Sequence, residues 1–127
     1  MCMIEMRKGT GRTTGYKVVE INLNKKNVES LHKYFIWQVG LNTAIEDPYC
    51  LKKEQCIFHA FTKKRDAKKY IEYLGWSFDL IRYEIIKVSF NRPFVRGIFE
   101  WKNPNHPLNG LTQIGGKICF WDGSYEK

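Results

Sequence analysis

Apolar residues recur along this chain at two periods, and the switch between them marks the elements. Tyr16–Asn22, YKVVEIN, alternates: Val19 and Ile21 fall on one face, Val18 and Glu20 on the other, the pattern of a strand. Asn24–Asn27, NKKN, is a turn signal. His32–Val39, HKYFIWQV, is aromatic and β-branched up to a closing Gly40 and reads as a second strand. Leu41–Gln55 then reads as a long connection, and connections of that length are usually functional or anchored. Cys56–Phe61, CIFHAF, is a short apolar strand.

Directly after it the period becomes helical. Ala67, Tyr70, Ile71 and Leu74 form one apolar stripe, with Thr62 placed as N-cap and Gly75 where a C′ residue belongs. Leu80–Phe90, LIRYEIIKVSF, is the longest strand, with Ile86, Val88 and Phe90 on one face, and Phe94–Trp101 is its expected hairpin partner. Asn103–Gly110 is loop, and Gly116–Gly123, GKICFWDG, is a last strand ending in an Asp-Gly turn. Residues 1–15 are rich in Gly, Thr and basic residues and read as a flexible basic arm. Within it GTGRTTG lacks the spacing of a phosphate loop. The expected fold is α+β, a mostly antiparallel sheet of about five to six strands with one amphipathic helix packed on it, in a single domain over residues 16–127.

Composition adds a sign to the surface. The 127 residues fit one domain, and 43% hydrophobic with 15% aromatic content argues against disorder. Twenty-one Lys plus Arg against thirteen Asp plus Glu give a net charge of +8, which favours acidic partners. No run approaches the roughly 18 apolar residues of a membrane span, and the first residues lack the apolar segment of a secretory signal. A cytoplasmic protein with reduced thiols and no membrane partner is expected.

The charge is uneven. Lys52, Lys53, Lys63, Lys64, Arg65, Lys68 and Lys69 stand against Glu54 and Asp66, and Arg82, Lys87, Arg92 and Arg96 form a second group. A helix packed on the sheet would turn its lysines into a ridge for phosphates, with Tyr49, Tyr73, Trp76, Phe94 and Trp101 available to stack on bases. The alternative is a solvated helix face with the aromatics in the core. No helix-turn-helix, RNP1 or GXXG pattern is present, so sequence-specific reading is not implied.

Tyr49–Phe61, YCLKKEQCIFHAF, raises the question of a metal. Cys50, Cys56 and His59, with Cys119 or His106 as a fourth ligand, would make one structural zinc site. Strand alternation separates Cys56 from His59 unless Cys56 lies in a turn or bulge, and C-x5-C-x2-H is looser than a zinc knuckle. The other reading has Cys56 and Cys119 as small buried hydrophobes and His59 as a hydrogen-bonded core histidine.

GYKVV, a cysteine-bearing loop, C-x-x-HAF, a basic helix running through Ala67 and Tyr70, and YEIIKVSF follow one another in an order that resembles small, mostly uncharacterised phage and bacterial proteins. The resemblance covers Gly15–Phe90. It implies a phage or mobile-element context, in which some small basic phage proteins serve as inhibitors of host defence, anti-CRISPR proteins included, and transfers no catalytic residue.

Three function classes follow. The first is a small basic inhibitor that occupies a host protein or nucleoprotein surface, with aromatic anchors and arginine clamps. The second is a module that binds nucleic acid without sequence preference. The third is a nuclease or ADP-ribosyl-type transferase using His59, with His32 as its partner acid or base. Paired carboxylates, a nucleophile elbow and HExxH are all missing, so binding is expected over catalysis, with no small-molecule substrate implied.

Overall fold

The computed structural model describes residues 2–8, 13–24, 26–30, 35–44, 57–75, 81–91, 94–100, 105–106 and 108–126. Nine strands and one helix are found among them: β1 (Cys2–Lys8), β2 (Thr13–Asn22), β3 (Asn27–Ser30), β4 (Gly40–Thr43), β5 (Phe58–Phe61), α1 (Lys64–Leu74), β6 (Ile81–Phe90), β7 (Phe94–Glu100), β8 (Thr112–Gly116) and β9 (Ile118–Glu126). The class is the α+β one expected, with more strands than the five or six read from the pattern. All pairings are antiparallel, in the order β1-β7-β8-β5-β2-β6-β9-β4, with β3 also on β2.

β2 and β6 are the spine. They pair along their whole length, from Thr13 opposite Phe90 to Asn22 opposite Ile81. The far edge of β2 is shared by β5, through Tyr16 and Phe61, and by β3, through Val19–Asn22. The far edge of β6 is taken by β9. β7 therefore cannot be the hairpin partner of β6, as its position after Pro93 suggests, and pairs instead with β1 and β8. β1 itself lies within the stretch that reads as a flexible arm.

The sheet closes on itself at one end. Beyond β3 the chain returns antiparallel to it, Ile36 bridging to Glu29, with Ser30 N–H donating to Phe35 C=O at 3.0 Å and Trp37 N–H to Val28 C=O at 2.7 Å. Gln38 and Val39 alone then link this segment to β4, which sits at the other end of the strand order against β9. The side chains inside this curl form one cluster: Val19, Ile21, Val28, Trp37, Phe58, Ala60, Ile86, Val88, Phe90, Phe94, Ile114, Cys119 and Trp121. Phe58 and Phe94 flank Gly116 in register.

The outer face carries α1. Ala67 and Tyr70 pack on Val18, Phe61, Ile85 and Leu108, with Ile71 and Leu74 at the margin, which is the stripe that the 3.6 period gives. Gly75 closes the helix at φ 72°, its N–H donating to Ile71 C=O at 3.1 Å. Thr62 is not the N-cap. Its N–H donates to Thr112 C=O at 3.2 Å and its hydroxyl meets the Thr112 hydroxyl, so it still belongs to the β5–β8 seam and the cap passes to Lys63.

β5 crosses β2 where β2 has Gly15. A Cβ there would stand 2.9 Å from Ala60 Cβ and 3.2 Å from Phe61 C=O. Gly15→Ala is therefore expected to destabilise the fold by about 1–3 kcal/mol, although alanine suits a strand better than glycine. The urea midpoint measures it, and a midpoint equal to or above that of the parent would show that β5 yields without cost.

Candidate nucleic-acid interface

The outward face of α1 is built by the same periodicity that buries its inner face. With Ala67, Tyr70, Ile71 and Leu74 turned to the sheet, Arg65, Lys68, Lys69, Glu72 and Tyr73 are left exposed. Arg65, Lys69 and Tyr73 follow one another at i, i+4 and i+8, so they form a single row with about 5–6 Å between successive Cβ atoms. Tyr73 is 48% exposed, yet its ring rests against the His106 ring at 4.6 Å, which fixes the end of the row. His106 is itself buried, its Nδ1 accepting from Leu108 N–H at 3.2 Å.

Neutralisation of this face is slight. Lys64 reaches Glu126 at 3.4 Å and ties the helix start to β9, while Arg65 lies 3.8 Å from the buried Asp66. Among the described residues Lys63, Lys68 and Lys69 form no ion pair. Exposed lysines lacking a partner keep their full charge available to phosphate. Beneath them Tyr70 is a neutral support, its phenol pushed up to about 12, chiefly by burial.

Other expected site residues are scattered. Arg96 is exposed on β7, donating to Thr13 Oγ1 at 3.1 Å and lying 5.9 Å from the Phe94 ring, away from α1 in strand order. Phe94 is buried in the core, so it offers no stacking platform. Lys52, Lys53, Arg92, Tyr49, Trp76, Trp101 and His32 lie outside the described residues, as do Cys50 and Cys56. Of the zinc candidates, His59 and Cys119 are not brought together. Phe58 and Ala60 point into the curl where Cys119 sits, and alternation turns His59 to the opposite face. Among the described residues no group of three metal-ligating side chains gathers.

A second surface has no counterpart in the sequence reading. Leu41 and Phe120, register partners on β4 and β9, are 61% and 46% exposed, and Val39 and Ile118 extend the strip. Strand alternation held the signal: Cys119 and Trp121 face inward, so Ile118 and Phe120 must face out. No helix among the described residues is long and apolar enough to cross a membrane. Comparison with protein-family models, curated proteins and solved structures gave no match.

Proposed function

We propose that the protein works by binding, and that the outer face of α1 is its contact with nucleic acid, read without sequence preference. The row Arg65–Lys69–Tyr73 carries this reading, because two exposed cations aligned with a propped aromatic ring match a phosphate track beside a stacking base. Lys68 and Lys63 widen the same positive face.

The test is a fluorescence-anisotropy titration of a labelled single-stranded oligonucleotide at several salt concentrations. Affinity should fall steeply with salt, by a log–log slope of about −0.7 for each phosphate neutralised. Exchanging Arg65, Lys68 and Lys69 for glutamate should weaken binding more than about tenfold and flatten that slope by about 2. Binding that ignores salt, or that survives the triple exchange, would overturn the assignment.

The apolar strip of Leu41, Phe120, Val39 and Ile118 favours a second reading. In it the protein is an inhibitor that covers an acidic host protein or nucleoprotein surface, as the phage-protein resemblance suggests. The partner would be held through the strip while the helix lysines raise the association rate. Absence of oligonucleotide binding by the parent protein at low salt would move the weight to this reading.

A further inference from the structure

The charge of α1 is not spread evenly along it. Its cations, Lys64, Arg65, Lys68 and Lys69, are all passed by Lys69, with Lys63 just ahead of them, and the last turn holds no basic residue. The one acid among them, Asp66, is buried. The last turn exposes Glu72 and Tyr73 instead. Glu72 follows Lys68 at i+4 and Tyr73 follows Lys69 at i+4, so each exposed row that carries a lysine ends in a carboxylate or a ring. A polyanion laid along the helix therefore meets attraction first and repulsion at the end.

The ring at that end is built in. Tyr73 rests on the His106 ring, with centroids 4.6 Å apart. His106 belongs to a tight loop, in which Asn109 N–H donates to His106 C=O at 3.1 Å and Leu111 N–H donates to Leu108 C=O at 3.3 Å. Leu108 N–H donates to His106 Nδ1 at 3.2 Å. Leu108 is fully buried, in one cluster with Val18, Phe61, Ala67, Tyr70 and Ile85. The prop is thus pinned to the same core that holds the helix. Tyr73 stays half-exposed, and a ring already held in place loses little further freedom when a base stacks on it.

A basic helix face alone would serve duplex and single strand alike. A duplex keeps its bases stacked on one another and meets a protein surface through its phosphates. Run along α1, it would set phosphates over Glu72 and leave the Tyr73 ring idle. A single strand can turn a base out of its own stack, so its phosphates lie on Arg65 and Lys69 while that base lies on Tyr73.

We propose that the α1 face selects single-stranded nucleic acid over duplex, with Tyr73 as the platform for one unpaired base and Glu72 repelling the backbone from that end. The inference rests on the reading of α1 as a nucleic-acid contact and names the form of nucleic acid that it takes.

The experiment uses the full chain and three labelled probes in anisotropy titrations at matched salt. They are a short single strand, the same strand annealed to its complement, and the same strand with its bases replaced by abasic sites. The single strand should bind at least about fivefold tighter than either of the others, the lower end of what stacking one base contributes. Tyr73→Ala should erase both differences, and Tyr73→Phe should keep them. The salt dependence of single-strand binding should be the same in Tyr73→Ala as in the parent, because no phosphate contact is removed. Equal affinity of the parent for strand and duplex, or for strand and abasic strand, would overturn the inference and leave α1 a nucleic-acid surface. So would a preference that survives Tyr73→Ala. Failure of the parent to bind any of the three probes would instead overturn the reading of α1 on which the inference stands.

Discussion

Phe90→Ala is expected to remove about 3–5 kcal/mol of stability, the largest loss of any single truncation considered, out of the roughly 5–15 kcal/mol that a domain possesses. Phe90 is fully buried at the end of β6, paired with Thr13 on β2 and with Cys119 on β9. It therefore fills the interior where the two edges of the spine strand converge, and every strand around it is held in a ladder. A cavity there cannot collapse without moving β2 or β9, so the lost transfer energy and the void add. Urea denaturation followed by tryptophan fluorescence measures it. Phe120→Ala, one residue along from Cys119 but facing outward, serves as the control and should cost well under about 1 kcal/mol. Equal losses for the two would mean that the inward and outward faces of β9 have been exchanged.

Stability should also rise between neutral pH and about pH 9, and Lys17→Met should abolish the rise. The folded Lys17 ammonium titrates near 8 and the unfolded one near 10.5, so between those values the unfolded chain binds the extra proton. Stability then increases with pH through that window, by up to about 1.4 kcal/mol per pH unit. Cys119 acts in the other direction. Its folded value near 12 lies above its ordinary 9, so above pH 9 the folded state retains the proton and stability falls. Tyr70, raised from 10 to about 12, adds to that fall above pH 10. The sum is a maximum near pH 9, about 1 kcal/mol above the value at pH 7.5. Replacing the amine by a thioether of similar length removes the desolvated charge, so Lys17→Met should raise the melting temperature at pH 7 and lose the ascending limb. Thermal melts from pH 7 to 10 read both effects, and an unchanged ascending limb in the variant would assign the proton to another group.

Where one face of an element is buried, the sequence was readable. The parity of Val19 and Ile21, the triplet Ile86, Val88 and Phe90, and the Ala67–Leu74 stripe all point where the structure puts them. Lys17 falls on the same parity as Val19 and Ile21. Local pattern failed where a strand exists because of its neighbours. TQIGG has weak strand propensity, yet β8 forms between β5 and β7, which pair with it on either side. Gly40–Thr43 becomes β4 because β9 offers it an edge. The Asp-Gly pair likewise does not end β9: Gly123, at φ 91°, and the Asp122–Ser124 hydrogen bonds at 2.9 and 2.6 Å bend the strand, which continues to Glu126. Which strands neighbour one another is a long-range fact, and a single sequence carries little of it. The basic face of α1 was legible as charge, whereas its alignment with Tyr73 and the His106 prop needed the fold.

The strand order has a consequence for how the molecule is made. β1 meets β7, with Cys2 opposite Glu100, β2 meets β6, and β4 meets β9, so three of the eight pairings join the early part of the chain to its later part. On the ribosome the first strands emerge with little but the β2–β3 hairpin available to them, and the interior cannot assemble until β6 and β9 have followed. Such wiring folds slowly, on the millisecond-to-second scale of non-local β topologies. Until synthesis reaches the last strands, the sticky inward faces of β2 and β5 must wait exposed.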